Sequence, residues 1–171
     1  MSTDQPYIEL LGAYQAACNR HDIEACVAMF TEAGEIVSGG ESYVGTAVIR
    51  AAHEYDLASH TLVEFRDFEI EGNVVRCTFW NEHELSRAIG TGGMTGKAEF
   101  TFADGRIQKF HILPPDDTER QRVMAKVGPT FKWLRENHPE AVARWQGFDR
   151  AAGEAVTALA DLWRAHQQEG A

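Results

Sequence analysis

The apolar positions of the chain change period twice, and the changes divide it into three stretches. Over residues 7–19, Tyr7, Leu10, Leu11, Tyr14, Ala17 and Cys18 recur at helical spacing and form one stripe. Asp22 is placed to cap a second helix with Ile23, Cys26, Val27 and Phe30 on one side. A short extended piece at 35–38 and a loop with Gly39, Gly40 and Gly45 follow. Thr46 then caps a third helix running to about Tyr55, with Val48, Ala52 and Tyr55 on one face.

The middle stretch alternates. Val63, Phe65, Phe68 and Ile70 mark a strand over 61–71, and Gly72-Asn73 is a two-residue turn signal. A long strand is predicted from 74 to about 86, and a glycine-rich connection (Gly90, Gly92, Gly93) leads into a strand at 95–103. Asp104-Gly105 turns the chain into a last strand at 106–113. Consecutive antiparallel strands make a meander whose curved apolar face needs cover, and the three preceding helices are available. Pro114-Pro115 ends this unit. Beyond it the pattern is helical, over about 116–126, 130–137, 139–146 and 149–167, with a break at Gly128-Pro129. The last helix carries Ala152, Ala155, Val156, Leu159, Leu162 and Trp163 on one stripe. Self-packing is the default for such a stripe, although it could also reach a second subunit or cap a pocket mouth.

Composition narrows the function classes. With 26 acidic and 16 basic residues the formal charge is −10, which disfavours nucleic acid or an anionic membrane surface as a partner. The charge is uneven: residues 116–171 hold nine acids and eight bases, so nearly all the excess lies before them. This supports a boundary between an α+β unit at 1–115 and a helical C-terminal extension at 116–171. No apolar run is long enough to span a bilayer, and the N-terminus lacks a basic-then-apolar leader pattern, so a cytoplasmic location is expected. Cys18, Cys26 and Cys77 are widely spaced and odd in number, which reads as reduced core thiols.

The segments Tyr14-x7-Asp22 with Ala28-Met29-Phe30, Tyr43-Val44-Gly45 opening a helix, and Phe102-x-Asp104-Gly105-Arg106-Ile107 resemble the nuclear transport factor 2-like superfamily, in its SnoaL-like branch. The resemblance spans about residues 7–113. It implies an α+β cone, a curved antiparallel sheet covered by three N-terminal helices, around a deep apolar pocket, with pairing of two copies into a homodimer. His111, predicted on the sheet's outer side, would lie on such a contact. A fold of this kind does not fix a reaction. Relatives include ketosteroid isomerase, limonene-epoxide hydrolase, polyketide cyclases and inert binding modules. The isomerase set is incomplete: Tyr14 matches its tyrosine, but Ser38 and Ala98 stand where its two acids belong. The hydrolase set is also incomplete: Glu84 falls on one carboxylate position, while Glu82 replaces the arginine and Ile112 the second carboxylate.

The candidate site follows from these residues. Glu82 and Glu84 are two apart in the predicted strand and share a face with Trp80. Turned inward, the two carboxylates would share a proton and divide acid and base roles. Val75, Cys77 and Phe79 occupy the opposite phase, so this needs a bulge; without one, Asn81 and His83 form the polar lining. Glu84, Glu82 and Tyr14 are the expected catalytic residues. Trp80, Phe100, Phe102, Phe110 and Ile112, with His83 and Tyr55, are the expected substrate contacts. His53, Asp56 and His60 cluster near the end of the third helix and read as surface packing, with no third metal ligand spaced to join them. Neither a metal nor an organic cofactor is indicated, and the glycine-rich loop reads as a flexible gate rather than a phosphate cradle. The expected function is binding of a small hydrophobic molecule, with proton transfer, isomerisation or water addition as the chemistry open to it. The alternative is a non-catalytic binding or dimerisation module.

Overall fold

A computed structural model describes residues 5–170. Helices α1 (Gln5–Asn19) and α2 (Ile23–Ala28) lead into strand β1 (Phe30–Ser38), which turns back into β2 (Glu41–Val44). After α3 (Thr46–Ala58), strands β3 (Leu62–Glu71) and β4 (Val74–Glu82) form a hairpin. A short helix α4 (Glu84–Ile89) precedes β5 (Met94–Ala103) and β6 (Arg106–Ile112). Helices α5 (Asp117–Asn137), α6 (Pro139–Arg144) and α7 (Arg150–Glu169) complete the chain. The six strands form one sheet in the order β2-β1-β6-β5-β4-β3. All neighbours are antiparallel except β1 and β6.

The architecture is the expected α+β one, a curved sheet packed against helices. Register shifts in β3 between Arg66 and Glu69, and in β6 at Gln108 opposite Thr101 and Phe102, bend the sheet. Its concave face buries Val75, Cys77, Phe100 and Phe102 beneath α1–α3. These residues sit at alternating strand positions, so every second side chain points into one core.

Three local expectations need correcting. The predicted strand 74–86 stops at Glu82, because His83 caps a helix. Its Nδ1 accepts from the Ser86 amide at 3.2 Å, and Ser86 Oγ accepts from the His83 amide at 2.9 Å. This reciprocal pair satisfies two amides that strand pairing would otherwise use. Gly90, at φ 76°, ends that helix in the left-handed region. The glycine-rich segment therefore joins a helix to a strand. The break expected at Gly128-Pro129 is absent, and α5 continues through Pro129. The third helix takes Gly45 rather than Thr46 as its N-cap residue.

The apolar stripe of α7 packs on its own chain. Val156, Leu159 and Ala160 form a second core with Tyr55, Leu85 and Leu134. Contact between α7 and α3 is close enough that a Cβ on Gly153 would stand 2.6 Å from the Tyr55 carbonyl oxygen and 2.8 Å from the Ala58 Cβ. Thr157 also donates to the Ala58 carbonyl at 2.8 Å. Gly153→Ala is expected to destabilise the protein by about 1–3 kcal/mol through overpacking, despite alanine's better helix propensity. Urea denaturation checks this, and an unchanged midpoint would mean the helices can separate freely.

Candidate active site

Between α1, α3 and the concave sheet lies a cavity of about 450 Å³, within the range of small-molecule sites. The sheet supplies Phe65, Phe79, Phe110 and Ile112, and the segment after α6 supplies Trp145 and Phe148. Phe148 packs against Tyr55 and Tyr43, with ring centroids 4.8 and 5.4 Å apart, and so ties this segment to α3 and β2.

Polar groups enter this apolar space at several places, Ser38, Glu41 and Thr61 among them, and two of these places bring a histidine to it. One is a chain of three residues. Tyr14 of α1 places its hydroxyl 3.3 Å from His53 Nε2 of α3, and both side chains are buried. On the other side of the imidazole, Nδ1 lies 3.4 Å from an Asp56 carboxylate oxygen, one helical turn along. Burial alone would push His53 down, but the hydrogen bond and charge of Asp56 outweigh it and hold its pKa above the ordinary value. The Tyr14 hydroxyl is pushed well up, chiefly by burial. Tyr14 therefore stays protonated while His53 is the group in the chain poised to exchange a proton.

The second polar group is His83, between β4 and α4. Its Nδ1 is occupied as the cap acceptor for Ser86, which leaves Nε2 as the ring's other nitrogen, and the side chain lines the cavity. Burial, with Arg87 adding to it, lowers its pKa to about 4. Near neutral pH His83 is thus an uncharged ring carrying its proton on Nε2, a fixed donor. Asn81 lies beside it on the same wall.

These positions revise the expected placement of the site residues. Strand β4 pairs with β5 in unbroken register from Val74 to Asn81, so no bulge turns its phase. Asn81 accordingly joins Cys77 and Phe79 on the concave face, and Trp80 and Glu82 face away. Trp80 donates to the Gly92 carbonyl at 3.0 Å, and Glu82 lies 3.7 Å from Arg87. Glu84 is not on a strand at all. In the first turn of α4 its carboxylate accepts from Arg87 at 3.0 Å and from Arg164 of α7. Burial would raise its pKa, but the two guanidiniums outweigh this and lower it. Phe100 and Phe102 are buried in the core rather than on the cavity wall; Phe102 stacks on Tyr7 at 4.5 Å. Of the expected residues, Tyr14, Tyr55, His83, Phe110 and Ile112 line the cavity.

His53 and Asp56, read from the sequence as surface packing, are its principal polar groups. The signal was present: Ile49, His53 and Asp56 recur at i, i+4 and i+7. His53 also has neighbours that sequence spacing did not offer. Its ring, Cys18 and Cys26 put ligand-type atoms within 4.8 Å of one another, correcting the expectation that no third ligand lies near. The two thiols are 3.7 Å apart, and the Cys26 contact together with burial holds the Cys18 thiol protonated. The same contact lowers the Cys26 pKa, and both nitrogens of His53 already have hydrogen-bond partners in Tyr14 and Asp56.

Neither a protein-family model nor a curated protein matches the sequence. Solved structures do match the fold. SalBIII, an epoxide hydrolase/cyclase-like enzyme with a role in pyran ring formation in the polyether salinomycin, superposes with a TM-score of 0.58 at 20% identity, over 70% of this chain and 97% of its own. An NTF2-like protein of unknown function from Cytophaga hutchinsonii superposes with a TM-score of 0.51 at 14% identity, over 61% of this chain and 85% of its own. The chain has an NTF2-like fold. TerC, co-crystallized with polyporic acid, shares it with a TM-score of 0.52 at 21% identity, over 70% of this chain and 98% of its own. Each of these matches leaves part of this chain uncovered. Among the described residues, no helix is long and apolar enough to cross a membrane.

Proposed function

We propose that the chain binds a small, mostly apolar carbonyl compound in the cavity and moves a proton on it. The observation that carries this reading is the buried Asp56–His53–Tyr14 chain, opening on the same apolar space as a histidine held neutral. In the resting form the Asp56 carboxylate accepts from Nδ1–H of His53, and Nε2 accepts from the Tyr14 hydroxyl. A proton leaving the carbon beside the carbonyl passes to the Tyr14 oxygen as Tyr14 hands its own to Nε2. No tyrosinate accumulates, and the imidazolium is stabilised by Asp56. His83 Nε2–H is placed to hold the carbonyl oxygen as it takes on charge. In a β,γ-unsaturated ketone, return of the proton to the γ carbon completes an isomerisation. In a ligand with a second carbonyl, attack of the enolate carbon on that carbonyl forms the ring bond while its C=O π pair moves to oxygen, which takes the proton back from the relay. The two histidines have opposite shifts, which divides the base role from the donor role.

The same fold in SalBIII and TerC supports a small-molecule ligand. A non-catalytic carrier is the second reading, favoured by the way Trp145 and Phe148 close one side of the cavity.

Exchange of the α-protons of 2-tetralone in D₂O, followed by proton NMR, tests the proposal. The native chain is expected to accelerate exchange over buffer. Tyr14→Phe is expected to slow it at least ten-fold while binding of 2-naphthol, read by thermal shift, stays within about three-fold. Binding with no acceleration would replace the enzyme reading by the carrier. Equal rates in native and Tyr14→Phe proteins would remove the proton relay.

A further inference from the structure

Beside the main cavity lies a second void of about 110 Å³. The two share Asn81, His83, Met94 and Trp145, which form the partition between them. Beyond the partition the walls are Leu85 and Ile89 of α4 facing Val123, Val127 and Phe131 of α5. The three α5 residues recur every four positions and so form one face of that helix.

The void persists because polar contacts fix α5 at a distance. Arg122 donates to the Gly93 carbonyl at 2.8 Å and also to that of Thr91, Lys126 donates to Gly90, and Glu119 accepts from the Thr95 amide at 2.8 Å. These contacts clamp the helix to the segment between α4 and β5 and to the start of β5, so it does not collapse onto Leu85 and Ile89. The segment expected from sequence to be a flexible gate is thereby held. The far walls of the chamber are also poor in free polar groups: Ser86 Oγ donates to the His83 carbonyl at 2.8 Å and Thr91 Oγ1 to the Ser86 carbonyl at 3.3 Å, which leaves the polar side chains of Asn81 and His83 on the partition.

We propose that this chamber is a specificity subsite that takes a short apolar arm of the ligand whose polar end sits in the main cavity. The proposal rests on the reading that the main cavity binds a ligand. At roughly 30 Å³ per non-hydrogen atom the chamber holds about four carbons. The ligand is thus a ring or fused-ring carbonyl compound bearing a butyl-sized or branched alkyl substituent, and α5 and α4 set its length.

Binding of 3- and 4-alkylphenols from methyl to octyl, measured by calorimetry, tests this. In one positional series the native chain is expected to gain about four-fold in affinity per carbon, levelling off near four carbons. Val127→Trp fills the chamber and is expected to abolish the gain while leaving phenol itself unchanged. Ile89→Ala enlarges it and is expected to move the plateau to longer chains, which keeps the test intact if the tryptophan variant misfolds. A chain-length gain identical in native, Val127→Trp and Ile89→Ala proteins would overturn the subsite alone. Failure of every phenol to bind the native chain would overturn the cavity reading and the subsite with it.

Discussion

Replacing His53 by glutamine is expected to slow α-proton exchange on a bound ketone by about 100-fold or more, the usual contribution of a positioned general base. Glutamine can still hydrogen-bond toward Tyr14 and Asp56, so the packing around α1 and α3 should survive, but it cannot accept a proton. Ligand affinity is expected to change little, because the loss falls on the transition state. Asp56→Asn separates charge from position. Asp56 is what holds the His53 pKa above 6.5 against burial. Without that charge, the main opposition to burial is gone and the pKa falls. The base works when neutral, so the native rate should rise with pH through a midpoint above 6.5. In Asp56→Asn the midpoint should move to lower pH, and the plateau rate should drop because the imidazolium has lost its counter-ion. The same pairing stabilises the fold fully below pH 6.5, and that contribution fades as pH rises through the His53 pKa. A pH–rate profile with the same midpoint in native and Asp56→Asn proteins would show that His53 is not the titrating base. Unaltered exchange in His53→Gln would exclude it outright.

Much of the scaffold is legible in the pattern of apolar residues. The stripe that places Tyr14 on the inner face of α1 is read from spacing alone, and the meander follows from period-two alternation and its turns. The phase of β4 was legible too. Val75, Cys77 and Phe79 mark the inner face, and the unbroken register with β5 keeps Trp80 and Glu82 on the outer one.

Three features escaped for physical reasons. In α3 the neighbours Val48 and Ile49 are equally apolar, and the choice between them rotates the inner face by one residue. Reading Val48 inward leaves His53 outside, whereas the structure exposes Val48 and buries Ile49 and His53. Packing of α3 against α7 and β1 decides this, because the spacing of Ile49, His53 and Asp56 is matched one residue earlier by Val48, Ala52 and Tyr55. The pairing of Tyr14 with His53 joins residues 39 apart in sequence through the tertiary fold. In α4 the cap is a histidine, outside the usual Ser, Thr, Asp and Asn set, so a run of polar residues reads as continued strand. That unusual cap also fixes the tautomer of His83 and gives the cavity its donor.

The cap makes His83 the most informative residue for stability. Its folded pKa of about 4 lies well below the ordinary 6.5. As pH falls below 6.5 the unfolded chain takes up a proton that the folded chain refuses until about pH 4, so native stability declines through that window and the deficit is constant below it. At roughly 1.4 kcal/mol per pKa unit, discounted for partial contact with solvent, the loss is about 2 kcal/mol. His83→Asn retains a good N-cap acceptor without the titration. Urea denaturation at pH 7 and pH 4.5 is therefore expected to show the variant gaining about 2 kcal/mol relative to native at the lower pH. Common carboxylate effects cancel in the comparison. An equal difference at both pH values would mean that His83 titrates as an ordinary histidine. It would then be partly charged near pH 6.5, and the neutral Nε2–H donor assigned to it in the cavity would fail with the stability argument.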